Sequence, residues 1–145
     1  MTFPTKQALI GHALEIAEER TENRPRRAAE EGRDALRAAV LDVLPLTPDA
    51  AQMNHVWVSS WDGALADAER RTAERARYRR WRSRLRPLVI AAQERDELRA
   101  GDPDDLVATI AAFTHGLVVQ ALFDPRAFPR KRQVALADAF LDDLS

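Results

Sequence analysis

Cysteine is absent from the 145 residues, which excludes a disulfide framework, thiolate metal ligation and a cysteine nucleophile. Glycine is nearly as scarce, at five residues, and no Gly-rich phosphate-cradling loop occurs. Net charge is also lacking: 22 Lys and Arg against 23 Asp and Glu leave -1, so the chain has no global electrostatic footprint for nucleic acid or an anionic membrane. The three histidines, His12, His55 and His115, are scattered without metal-ligand spacing. Ser59-Ser60 has no acid and histidine pattern to activate it. No catalytic residue, metal or cofactor is therefore expected, and the chain is not expected to be an enzyme. The start shows no short apolar stretch behind a basic cap, so no secretory signal is expected and the expected location is cytoplasmic.

What is there is helix-forming. Alanine, leucine, arginine and glutamate dominate, charged residues make up 31%, and strand signals are few. The length predicts one all-α domain over 1–145 with a single core. Punctuation divides it into about six helices. The first spans 5–23 and stops before Pro25, and the second spans 28–44 and stops at Pro45. Thr47-Pro48-Asp49 supplies a cap and a first-turn proline for a third helix running to about 66. A long fourth helix covers 67–100, with Pro87 expected to kink or break it. Gly101-Asp102-Pro103 is a strong stop followed by a fresh start; a fifth helix then fills 104–123, and a sixth fills 130–144 behind Phe128-Pro129. The uncharged run 106–123 is long enough to span a bilayer. Thr109, Thr114, His115 and Gln120 within it, the aspartates around it and the lack of a basic or tryptophan belt favour a helix buried on both sides in a soluble assembly.

Residues 3–10, Phe3-Pro4-Thr5-Lys6-Gln7-Ala8-Leu9-Ile10, are readable as an ordinary capped helix start with a solvated lysine. They also resemble the turn that closes the helix-turn-helix of TetR-type bacterial regulators. Three further stretches carry that resemblance in the right order. Val43-Leu44-Pro45-Leu46-Thr47-Pro48 resembles an inter-helix break of the BetI-like branch, and 57–65 resembles its aromatic-containing third helix. Stretch 112–125, with Gly116-Leu117, Gln120 and Leu122-Phe123-Asp124-Pro125, resembles its Gly-Leu-x-x-Gln-x-Leu-x-Asp-Pro pattern. His115 departs from the aspartate common before that glycine.

The chain is thus similar to the C-terminal domain of the TetR/AcrR family. The resemblance implies an antiparallel helical bundle that binds a small effector and forms a two-fold dimer through a four-helix interface. By resemblance Lys6 is a DNA phosphate contact, and residues 1–10 are the remnant of a helix-turn-helix module. Since the match begins at Phe3, no operator-reading helices are expected from this chain, and DNA is a partner only when such a module is present.

Three constellations then acquire a meaning. Met53, Trp57 and Trp61 recur every four residues on one helix face. They serve either as core or as a cavity wall, and the wall is the expectation because Trp81 lies on a helix that lines the effector pocket in the resembling family. The expected apolar or aromatic effector site is Met53, Trp57, Trp61, Tyr78, Trp81 and Phe113, with Thr114 and His115 as polar candidates beside His55 and Gln120. Nine arginines from Arg70 to Arg86, interleaved with Glu74, Tyr78 and Trp81, suit a solvated ion-paired face better than nucleic acid. An anionic effector could use one of them. Phe113, Gly116, Leu117 and Gln120 with Leu136, Phe140 and Leu141 are expected either to pack within the chain or to form the dimer interface, and the family favours the interface. A small helical interaction protein that pairs with a full-length regulator and binds no ligand is the alternative function.

Overall fold

The computed structural model describes residues 31–145, and all regular structure among them is helical. The segments 1–10 and 5–23, with Lys6, lie outside the described residues. Six helices follow one another: α1 (Arg33–Val43), α2 (Pro48–Ser59), α3 (Trp61–Ala66), α4 (Ala68–Glu94), α5 (Pro103–Phe123) and α6 (Arg130–Asp143).

The caps act where sequence places them. Thr47 Oγ1 accepts from the Ala50 amide at 3.1 Å with Pro48 in the first turn. Asp102 accepts from the Asp104 amide at 2.9 Å, with Pro103 in the first turn of α5. Each satisfies an amide that the helix itself leaves unpaired.

Three boundaries differ from expectation. Helix α1 begins at Arg33, behind a buried Gly32 at φ 59°, a region open to glycine. A Cβ there would also require the ends of the Glu97 and Arg95 side chains to move aside. The stretch to residue 66 is two helices, because Ser60 donates its hydroxyl back to the Trp57 carbonyl at 2.6 Å and its carbonyl accepts from Arg70 at 3.3 Å; such back-bonding bends a helix. Helix α4 stops at Glu94 rather than 100. Asp96 takes φ 57°, the Glu97 amide reaches the Ala92 carbonyl at 2.8 Å, and the Asp96 amide reaches that of Gln93 at 3.0 Å. This is a Schellman closure with aspartate where glycine is usual. Pro87 does not end α4. It and Ser83, whose carbonyl loses its helical donor, both face solvent, where water can replace the missing bond.

Helix α4 is the spine, packed against α1, α3 and α5, while α1 also meets α6 and α2 meets α5. The core follows helical spacing: Leu36 and Val40 from α1 with Leu44 just past its end; Trp81, Leu85, Val89 and Ala92 from α4; Leu106, Val107, Ile110, Leu117 and Val118 from α5; Ala137 and Leu141 from α6. Arg37 Nε and an amino group of the same guanidinium meet the two oxygens of Asp138 at 2.6 and 3.2 Å, and Arg33 pairs with Asp142. Helix α5 is long and apolar enough to cross a membrane, with mean hydropathy 1.8, and it packs one side against this core.

Candidate functional site

Aromatic residues of α2 and α4 converge on one histidine of α5, and an α3 tryptophan joins them through Trp57. The His115 ring lies 5.0 Å from Trp57, 4.9 Å from Tyr78 and 5.1 Å from Trp81. Trp57 meets Trp61 edge-on at 5.3 Å and Tyr78 at 5.8 Å. The bend at Ser60 starts the helix that carries Trp61 into this contact. Burial, helped by the nearby Arg82 charge, pushes the His115 imidazole down to about 4. It is neutral at physiological pH and sits among the rings as an aromatic.

Glu74 is 8% exposed and anchors the cluster. Its Oε1 accepts from the Trp57 indole at 2.7 Å, and its Oε2 accepts from Arg77 at 2.9 Å. Burial, then the Glu74 charge, drives the Tyr78 phenol well above its usual range, with the Trp61 indole acting the other way. That indole Nε1 is buried and makes no hydrogen bond of proper geometry.

Against this cluster, between α3 and α4, opens a cleft of about 420 Å³. Trp61, Ala64, Leu65 and Tyr78 form its apolar wall; Arg71, Glu74, Arg75 and Arg82 supply its polar groups. Leu65 is 72% exposed at this cleft. Arg71 donates to the Leu65 carbonyl at 2.9 Å, tying the end of α3 to α4. The volume lies in the range of small-molecule sites, which combine apolar walls with a few polar groups.

Of the expected effector residues, Trp61 and Tyr78 line the cleft, and Trp57, Trp81 and His115 form the cluster beside it. The others lie elsewhere. Phe113 stacks on Phe140 at 4.1 Å and 3°, on another side of α5. Thr114 is fully buried, with its hydroxyl donated to the Ile110 carbonyl at 2.8 Å. Met53 is half-buried and outside the cleft lining, and His55 and Gln120 are exposed. Sequence reasoning did not place Arg71, Glu74, Arg75 and Arg82 around a cavity. The available signal was spacing: they stand seven, four and three residues before Tyr78 and four after it, hence on its side of the helix.

The expected interface residues also divide. Gly116 and Gln120 are exposed, Phe113, Leu136 and Phe140 are half-buried, and Leu117 and Leu141 are at 4% and 0% exposure inside the protomer core. Ala108, Ala112, Gly116 and Gln120 make an exposed stripe along α5. A Cβ on Gly116 would meet no atom within 4 Å, so no close contact within the described protomer calls for that glycine.

Among the described residues no cluster suited to a metal ion occurs. No curated protein matches the chain. The fold is that of a transcriptional regulator from Rhodococcus sp. Rha1, whose crystal structure superposes with a TM-score of 0.82 at 21% identity, covering 98% of this chain and 74% of that one. The family model for the C-terminal domain of BetI-type transcriptional repressors matches residues 32–145. The match takes in every helix described above, and the chain belongs to that family of TetR-type regulators.

Proposed function

We infer that this domain binds a small apolar or aromatic effector in the cleft between α3 and α4, and that two copies pair through the exposed faces of α5 and α6. The observation that carries the reading is the cleft itself, with Trp61 and Tyr78 in its wall and a buried ring cluster behind them. An occupant there touches both α3 and α4, so it favours whichever arrangement of the two helices fits it better. In an intact regulator such a shift would be passed to the DNA-reading helices. Operator contact belongs to a helix-turn-helix module rather than to α1 through α6, and the setting is a cytoplasmic homodimer.

The test is thermal unfolding of the chain against a library of small apolar and aromatic compounds. A ligand at one hundred times its Kd adds about 2.7 kcal/mol to the folded state. A hit whose stabilisation is lost in Trp61→Ala supports the reading. No shift across the library refutes it, and leaves the alternative in which the α5 and α6 face pairs with a full-length regulator and no ligand is bound.

A further inference from the structure

The polar groups of the cleft are one-sided. Glu74 is the one acidic side chain that lines it, and both carboxylate oxygens are already engaged, by Trp57 and by Arg77. The remaining polar groups are donors. Arg71 is partly committed to the Leu65 carbonyl, whereas Arg75 and Arg82 have neither a hydrogen bond nor an ion pair among the described residues. The Tyr78 hydroxyl keeps its proton. An occupant is therefore met by donors and positive charge on one side and by aromatic rings on the other. A cationic guest would face three arginines and a carboxylate that is already satisfied, so its own charge would go unmatched.

We propose that the cleft takes an amphipathic aromatic carboxylate, its ring laid against Trp61 and Tyr78 and its carboxylate paired with Arg75 and Arg82. The assignment rests on the reading of this cleft as the effector site and names the chemistry of what fills it. The two arginines are two turns apart on α4, about 10 Å along the axis, a gap that two long side chains can close around one head group. Guanidinium is the side chain best matched to a carboxylate. A cleft of about 420 Å³ accommodates one ring or two fused rings.

Three probes with one ring system and different charge separate the possibilities: naphthoate, the neutral naphthamide and the cationic naphthylmethylammonium, each titrated into the full chain by calorimetry and by tryptophan quenching. Naphthoate is expected to bind at least about tenfold tighter than the amide, a ratio equivalent to about 1.4 kcal/mol, with the cation weakest. Added salt should weaken naphthoate and leave the amide unaffected. Arg75→Gln and Arg82→Gln, each checked for unchanged helical content by circular dichroism, should bring naphthoate down to the amide's affinity without altering the amide's own. Equal binding of acid and amide, or a preference for the cation, overturns the carboxylate assignment and leaves the effector site standing. Naphthoate preference that survives both arginine variants overturns its placement. Failure of all three probes to bind overturns the aromatic-carboxylate assignment, while the effector reading of the cleft is decided by the compound library.

Discussion

Trp57 donates its indole N–H to Glu74 across 2.7 Å, joining α2 to α4 through a carboxylate almost wholly withdrawn from solvent. That bond fixes the plane of the ring that meets Trp61, Tyr78 and His115. The second oxygen of Glu74 takes Arg77 one turn further along the same helix, so the buried charge is matched where it stands. A single acidic residue in an arginine-rich helix thereby sets the shape of the aromatic wall.

Glu74→Ala should destabilise the domain by about 2–4 kcal/mol, because it removes the acceptor of the Trp57 indole and one carboxylate from the mostly buried Arg77 guanidinium. Glu74→Gln keeps an acceptor for Trp57 and loses only the charge, so about half that cost is expected. Urea unfolding followed by tryptophan fluorescence ranks the variants. Equal stability of Glu74→Ala and the unmodified chain would show that the carboxylate does not hold the cluster together.

His115 makes the domain acid-sensitive. Its folded pKa of about 4 lies below its ordinary value of 6.5, so between those values the unfolded chain binds the proton and the folded one does not. Stability then rises with pH across that window, is complete above it, and is fully diminished below about 4. The span corresponds to roughly 3 kcal/mol. Unfolding midpoints measured between pH 4 and 7 should therefore slope less steeply in His115→Phe, which keeps a ring among Trp57, Tyr78 and Trp81. Parallel slopes for the two proteins would assign the acid sensitivity to other groups.

Much of the fold was legible because its signals are local. Thr47-Pro48 and Asp102-Pro103 act through atoms a few residues away, and the core stripes of α1, α4 and α6 follow helical spacing. The break at Ser60 and the end of α4 at Asp96 were not legible, since each depends on one residue choosing a backbone conformation that its type permits without requiring. At the site, Trp57, Trp61, Tyr78 and Trp81 stood out as rare aromatics at helical spacing. Phe113 could not have joined His115 at one cavity, because residues two apart on a helix project to different sides. The arginines of the cleft were hidden among nine on one helix, where composition alone describes a solvated face.

Pro87 lies inside α4 with its ring toward solvent. Pro87→Ala restores an amide for the Ser83 carbonyl and removes no packing, so it should stabilise the domain by about 1–3 kcal/mol. Thermal unfolding checks the sign. A loss of stability would mean that the proline imposes a bend that α1 or α5 needs.

The Arg37 and Asp138 pair is bidentate but open to water, with both side chains more than a third exposed. Its hydrogen bond with Arg37 lowers the Asp138 carboxyl pKa, and solvent screens the energetic consequence. A double-mutant cycle with Arg37→Ala and Asp138→Ala should give a coupling below about 1 kcal/mol, diminishing with salt. A larger, salt-insensitive coupling would make this contact, rather than the shared core, the main link between α1 and α6.

Gly116 separates the stability of the protomer from its association. An added Cβ meets nothing within 4 Å, so Gly116→Arg should leave the protomer folded, and the gain in helix propensity, up to about 1 kcal/mol, should offset any local cost. In the proposed dimer the same position lets a helix of the partner approach closely, and an arginine there would force the two faces apart and bury a charge. Light scattering behind size exclusion should therefore find the unmodified chain as a dimer and Gly116→Arg as a monomer with an unchanged circular dichroism spectrum. Leu117→Ala, on the buried side of the same helix, should instead lower stability by about 2–4 kcal/mol. A Gly116→Arg protein that remains dimeric would move the interface away from the centre of α5, toward the exposed Phe123 or the outer face of α6.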